Sequence, residues 1–396
     1  MGVHARLFVE HGHAVEVFAG RGRGFDRRVP VHHWPELDSK HPEVVAVTAE
    51  LARGEVSPRF AALRDRLIAG WLTALASFDA AIVHNAFTLH FNLPLTAALH
   101  AVADRPGPRL VAWCHDLSWS NPLYRPTMRD AYPWTLLRTC HPAVRYVVVS
   151  RDRQRDLATL AGVAPERLTV IPGGIDPAGW LSLRPATRRV LAALRLEPEE
   201  LVLLLPARIT RRKNIQFAIR VVAALRDRGA RPRLLVTGPP GPHNVRAGAY
   251  LHELLALRAE LGVQAEVELL YPHRLSDATV ADLYRVADAM IFPSSQEGFG
   301  IPLLEAGLAR LPVFCSDLPP FREIAGDRVH YFALDENPST VADRLLEFLA
   351  TDPAARLRRR VRQEYTWDVL FPRLIEPLVN ESRQLSALSD QPGVAG

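Results

Sequence analysis

Short apolar runs alternate with longer amphipathic ones along this chain, and they do so in two series. Strand-like runs fall at 14–19, 80–83, 110–113, 146–150 and 169–171, then again at 201–206, 233–237, 266–270, 289–292 and 313–315. Helical stretches such as 59–77, 214–228, 249–261 and 301–309 lie between them. A continuous apolar run of this length suits a strand covered on both faces, and a helix after each strand is the crossover that parallel pairing requires. Two such series, parted near 176–198, predict an α/β chain of two doubly wound parallel-sheet domains. The length agrees, because 396 residues exceed what one core ordinarily encloses.

Composition narrows the setting. The three cysteines, Cys114, Cys140 and Cys315, are scattered and odd in number, which argues against a disulfide framework and fits a reducing cytoplasm. No apolar run approaches the roughly 18 residues of a membrane span, and the chain does not start with a basic segment and an apolar core. A net charge of +5 and a pI of about 9.4 suit phosphates, acidic lipids or nucleic acid. A coding bias toward arginine over lysine explains most of these residues equally well.

The start of the chain departs from the pattern. Residues 2–11 read as a helix with Leu7 and Phe8 on its apolar side and Gly12 at its C-terminal end, and a strand follows at once. The central first strand of a doubly wound domain, with its glycine-rich turn, has no counterpart here. The expectation is that the chain begins inside a longer protein; the alternative is a domain that begins on a helix. At the other end, Trp367 opens an apolar-faced helix long enough to cross back to the first domain, kinked or shortened by Pro372 and Pro377.

The segment richest in chemistry is Phe292-Pro-Ser-Ser-Gln-Glu297-Gly-Phe-Gly300-Ile-Pro-Leu-Leu-Glu305. A strand ends at Phe292, a glycine-containing loop follows, and Pro302 stands where a helix begins. The free N–H groups of that helix start, with the positive end of its dipole, make an anion seat at the carboxyl end of a strand. Glu297 falls in the loop, and Glu305 lies about one turn into the helix. Carboxylates so placed accept hydrogen bonds from vicinal hydroxyls of a ribose or hexose. Taken alone, they read equally well as an ordinary loop and a helix-dipole glutamate.

A second segment is Leu204-Leu-Pro-Ala-Arg208-Ile-Thr-Arg-Arg-Lys213-Asn. Arg208 follows a buried-looking strand and Lys213 stands where the next helix starts. Two cations beside a strand end clamp a diphosphate and stabilise charge building on a departing phosphate. Arg211 and Arg212 read as solvated loop charges. In the first half, His115 follows the strand of Val111-Ala-Trp-Cys-His115-Asp116, and Asp116 is placed to orient its imidazole. His84, Asn85 and Ser150, also at strand ends, are candidates for an acceptor side.

Together these segments resemble the retaining glycosyltransferases of family 4, over nearly the whole chain and most specifically in its second half. The paired-glutamate signature of that family stands here as Glu297-Gly-Phe-Gly-Ile-Pro-Leu-Leu-Glu305. The pieces Ser316-Asp-Leu-Pro-Pro-Phe-Arg-Glu-Ile324, Pro172-Gly-Gly-Ile-Asp176, Val236-Thr-Gly238 and the helix at Trp367 fit it too. Gly173 departs from the asparagine common at that turn, a change confined to the hinge.

The resemblance implies the GT-B architecture, two Rossmann-like domains facing a central cleft. The domains would be 1–180 and 181–364, with a crossing helix at 365–383 and a frayed tail at 384–396. It implies transfer of a hexose, with retention, from a nucleotide diphosphate sugar to a glycan, a lipid-linked sugar or a small polyol. Arg208 and Lys213 would hold the donor phosphates, Glu305 the ribose, and Glu297 with the backbone around Phe299, Gly300 and Ile301 the sugar. Gly238, Arg274 and Leu304 complete the donor side, with Tyr271-Pro-His-Arg274 near the base. His115 would position the reacting sugar or stabilise positive charge on it. No metal or other cofactor is expected, and no nucleic-acid partner; the basic balance permits attachment to a membrane surface without demanding it.

Competing chemistries find little support. There is no Asp-x-Asp metal clamp and no Walker loop, and Gly20-Arg-Gly-Arg-Gly24 lacks the dinucleotide-binding spacing. His11, His13, His32 and His33 have no cysteine nearby to complete a zinc site. Cys114 points away from His115 if both lie on a strand, and reads as packing. The rivals are a nucleotide-sugar epimerase of the same layout, a sugar phosphorylase, and a non-catalytic remnant.

Overall fold

The structure, a computed structural model, describes residues 1–240 and 247–380. The chain divides into two compact units, one formed by Ile175–Thr366 and the other by Met1–Gly174 together with residues 367–380. The tail expected at 384–396 lies outside the described residues.

In the first unit, β1 (Val17–Ala19) and β2 (Val31–His33) form a parallel pair. A separate parallel sheet runs in the order β3 (Ala80–His84), β4 (Arg109–Cys114), β5 (Val144–Val148), β6 (Leu168–Val170). β1 pairs only with β2 and β3 only with β4, so among the described residues no strand joins the two sheets. β4 and β5 are central and buried, whereas β3 is half-buried along its length.

The two-residue period of β4 splits its side chains between two cores. Leu110, Ala112 and Cys114 face the helices Pro58–Ala74 and Leu93–Ala103, where Leu63, Leu67 and Leu99 are buried. Val111 and Trp113 face the other way, onto Leu7 and Phe8 of the helix Gly2–Glu10 and onto Leu370, Phe371, Ile375 and Leu378. Gly12, at φ +87, ends that first helix in the left-handed region and donates its N–H to the Val9 carbonyl at 3.1 Å. The last segment begins as the helix Trp367–Leu370 and widens into a π-type turn at Phe371–Ile375. Pro372, with no N–H to give, falls where the ladder changes pitch.

In the second unit all six strands are parallel, in the order β12-β11-β10-β7-β8-β9. They are β7 (Leu201–Leu205), β8 (Pro232–Val236), β9 (Val267–Leu269), β10 (Ala289–Phe292), β11 (Val313–Ser316) and β12 (His330–Phe332). The chain runs outward from β7 through β8 and β9, then returns to start again on β7's other side at β10. That reversal opens a crevice outside the carboxyl ends of β7 and β10, the place where such sheets take ligands. β7 and β10 owe their central places to runs that are apolar on both faces, and both lie in the core. Asp282 is fully buried and accepts from the Arg184 N–H at 3.0 Å and from Thr187 Oγ1 at 2.6 Å. It thereby fastens the start of the helix Pro185–Leu194 to the helix Asp277–Val286.

Candidate active site

Arg208 leaves the end of β7 under tight steric control. Gly238, just past β8, donates its N–H to the Ala207 carbonyl at 3.0 Å. A Cβ at position 238 would lie 2.5 Å from that oxygen and 2.6 Å from Arg208 Cα, so only glycine permits the approach. Gly238→Ala is expected to displace the Arg208 backbone and destabilise this unit by about 2 kcal/mol or more. A thermal melt reads the loss, and an unchanged melting temperature would refute this account of the contact. The Arg208 side chain is exposed and, among the described residues, makes no ion pair.

Lys213 closes the short turn Arg211–Lys213 and is 8% exposed. Its ammonium lies 4.6 Å from the Phe292 ring centre and bonds Oε1 of Glu297. Oε2 of the same carboxylate accepts from Arg212 Nη1 at 2.8 Å, and that nitrogen also donates to the Gln296 carbonyl at 3.3 Å. In return, the Ser295 N–H donates to the Arg212 carbonyl at 2.8 Å. The turn after β7 and the loop after β10 are thus stitched together across the crevice. Burial pushes the Glu297 carboxyl up, but its bonds to Lys213 and Arg212 outweigh this and hold it below the usual carboxylate range. Burial also lowers the Lys213 ammonium, against the pull of Glu297.

Arg211 and Arg212 are solvated loop charges as expected, but each also has a partner that the sequence did not mark. Arg212 grips Glu297, and Arg211 pairs with Glu253 while lying 5.1 Å over the Tyr250 ring. No periodicity marks these roles, because each partner comes from a distant loop or helix.

Glu305 sits on the exposed side of the helix Ile301–Ala309 and accepts from the Tyr284 hydroxyl at 2.5 Å. Burial first, and then the carboxylate, raise the Tyr284 phenol. Tyr284 had no sequence signal, since it reads as an ordinary helix residue. Phe299, Ile301 and Leu304 are exposed, and no side chain caps the helix. Gly300 takes φ +125 there, and a Cβ on it would strike the Phe321 ring at 2.8 Å. Arg274, in the left-handed region at φ +46, lines a cavity of about 330 Å³ together with Arg189, His273, Ser276 and Thr279.

In the first unit, the ends of β3 and β4 bring His84, Asn85 and His115 together. Asn85 takes φ +60 and donates its N–H to the Trp113 carbonyl at 2.9 Å, while its Oδ1 accepts the His115 N–H at 2.8 Å. His84 Nδ1 lies 3.5 Å from His115 Nε2. His4, a residue sequence reasoning missed, packs its ring 4.5 Å from Trp113 and 5.4 Å from His84. Burial, then the nearby Met1 amino group, then neighbouring imidazoles lower His84 to about 3; burial and the same amino group also lower His4, to about 4. Burial lowers His115 too, so all three rings are neutral at neutral pH.

Two placements differ from expectation. The ring neighbour of His115 is His84 and not Asp116, whose backbone carbonyl accepts from Thr88 Oγ1 at 2.7 Å. Ser150 caps the helix Arg151–Ala161, its hydroxyl accepting the Arg153 N–H at 3.1 Å, which accounts for it without an acceptor. Cys114 is buried with its thiol pushed up to about 12, as a packing residue should be.

Two family models match the chain in tandem. The model for Glycosyltransferase Family 4 covers residues 4–178, and that for Glycosyl transferases group 1 covers residues 188–365. The chain belongs to the group 1, family 4 glycosyltransferases. Each of its two units is built on a parallel sheet, as a Rossmann-like domain is. A serotype-specific mannosyltransferase, WbdA, of Escherichia coli is 42% identical to this family 4 chain over 87 residues, 22% of the chain and 11% of that protein. D-inositol 3-phosphate glycosyltransferase of Actinosynnema mirum is 31% identical over 238 residues, 56% of the chain and 54% of that protein. Mannosylglucosylglycerate synthase of Petrotoga mobilis is 25% identical over 273 residues, 64% of the chain and 62% of that protein. The chain thus spans less than two thirds of each of these relatives.

Proposed function

We propose that this chain transfers a hexosyl group from a nucleotide diphosphate sugar to a hydroxyl acceptor, with retention at the anomeric carbon. One observation carries the reading: the reversal of strand order between β7 and β10 puts cations on one side of a ligand crevice and a carboxylate and helix start on the other. Arg208, open to solvent, and Lys213 would take the diphosphate. The uncapped start of the helix Ile301–Ala309 adds backbone donors around Phe299 and Ile301. These preorganised charges stabilise the departing phosphate, so no metal or other cofactor is expected.

Glu297 would receive sugar hydroxyls. Glu305, steadied by Tyr284, would receive the ribose hydroxyls, and the cavity beside Arg274 would stand near the base. On the acceptor side a neutral His115 orients a hydroxyl rather than lending positive charge. The acceptor would be a glycan, a lipid-linked sugar or a small polyol. The relatives named for mannosyl and glycosyl transfer agree with this class of reaction. We place the protein in the cytoplasm; among the described residues no helix is long and apolar enough to cross a membrane.

Thermal denaturation with UDP, GDP and ADP tests the reading. A nucleotide at about 100 times its Kd stabilises by about 2.7 kcal/mol, an upward shift of several degrees. One of the three is expected to give it, and its sugar should release free nucleoside diphosphate when an acceptor is supplied. A folded protein whose melt none of them moves would defeat the proposal.

A further inference from the structure

The end of β3 reaches His115 at two points. Asn85 holds its backbone, as the 2.8 Å bond to the His115 N–H shows. The left-handed backbone at Asn85 is open to glycine as well, but glycine has no amide to accept that bond. His84 meets its ring. The two ring centroids are 5.8 Å apart, the planes differ by 20° and the facing nitrogens are 3.5 Å apart. A nitrogen gap so much shorter than the centroid gap, between nearly parallel planes, sets the rings edge to edge rather than one over the other. This is the arrangement in which an N–H of one ring points at the lone pair of the other.

We infer that His84 is a positioning residue that holds the His115 imidazole in a single tautomer and leaves its Nδ1 as the atom offered to substrate. The inference deepens the transferase reading and rests on it for the substrate's identity. Two neutral imidazoles in edge contact must take complementary forms, one donating and one accepting. Fixing the first therefore fixes the second. Packing holds the His84 ring in place for this contact, 5.8 Å from the ring of Trp113 and 5.4 Å from that of His4. His4 is 7% exposed and wedged between Trp113 and Trp367. The charged groups that bear on His115 are the Met1 amino group, which disfavours its protonation, and Asp116, which favours it. Among the described residues His115 Nδ1 has no hydrogen-bond partner, so it is the nitrogen left to a sugar hydroxyl.

Long-range proton–nitrogen NMR of ¹⁵N-histidine-labelled protein reads the tautomer directly, without substrate. The parent should show one tautomer at His115 between pH 7.5 and 9. His84→Phe, which keeps a ring against Trp113 but removes its nitrogens, should show both forms in exchange. The same is expected of His84→Gln, which serves if the phenylalanine variant fails to fold. An unchanged tautomer ratio in a folded variant overturns the inference. In turnover, kcat should fall about tenfold with the donor KM unchanged; a fall confined to KM would also overturn it. A tautomer that responds to His84 in a protein that binds no nucleotide would leave this pair standing and the transferase reading fallen, so the two failures are distinguishable.

Discussion

Lys213→Ala is expected to weaken donor-nucleotide binding about 10- to 100-fold and to loosen the second unit at the same time. The binding loss follows from one charge-assisted bond to phosphate, about 1.5–3 kcal/mol. The stability loss follows from what Lys213 leaves behind. The Glu297 side chain is 9% exposed and draws one of its two cationic partners from Lys213. Stripping one partner from a buried ion pair typically costs about 3–5 kcal/mol. The loss should fall near the lower end, because Arg212 keeps its bond to Oε2. Adding Glu297→Gln to Lys213→Ala removes the stranded charge, so the double variant should recover stability without recovering the nucleotide. Melting curves and nucleotide titration of the three proteins separate the two effects. A single variant that binds like the parent would remove Lys213 from the phosphate seat.

The second large effect is acid sensitivity of the first unit, setting in well above the carboxylate range. His84 and His4 are lowered from an ordinary 6.5 to about 3 and about 4. Below pH 6.5 the unfolded chain binds protons that the folded rings refuse. The stability they contribute is therefore complete above about pH 6.5 and drains away as pH falls toward 4. The limiting slope is about 1.4 kcal/mol per pH unit for each ring. Allowing for the solvent that reaches the open side of the pair, about 2 kcal/mol should vanish between pH 7 and pH 5. Glu297 belongs to the second unit and is depressed, so its contribution persists through that window, whereas His100 of the first unit, lowered to about 4 by burial, adds to the slope of His84 and His4. Urea midpoints at several pH values test this, with His84→Phe expected to lower the slope by about a third, because burial lowers His100 of the same unit to about 4 as well. Equal midpoints at pH 7 and pH 5 would contradict the burial of these rings.

What the sequence revealed and what it hid follow one physical division. The runs that became β4, β5, β7 and β10 were legible because a strand covered on both faces must be apolar throughout. Glu297, Gly300 and Glu305 were legible because a strand end, a glycine and a helix start sit next to one another in the chain. β2 and β12 were missed: each has three residues with one or two histidines, too short and too polar to show a period. The grip of Arg212 on Glu297, the bond from Tyr284 to Glu305 and the edge contact of His84 with His115 were also hidden. Each joins residues far apart in sequence, and nothing in local composition marks which of several polar residues will meet. Ser150 shows the converse, a strand-end hydroxyl that looked chemical and closes a helix.

The placement of residues 367–380 affects how the protein must be made. They pack on Val111, Trp113, Val147 and Ile171, yet the whole of Ile175–Thr366 separates them from that sheet in the chain. A ribosome working from the N-terminus therefore finishes the second unit before it releases the segment that completes the first. During that interval the second unit can close on contacts entirely its own. The first waits with one side of β4 and β5 still short of its apolar cover, the state in which nascent chains need a chaperone. Synthesis and folding thus run in opposite orders: the unit begun first is the one finished last.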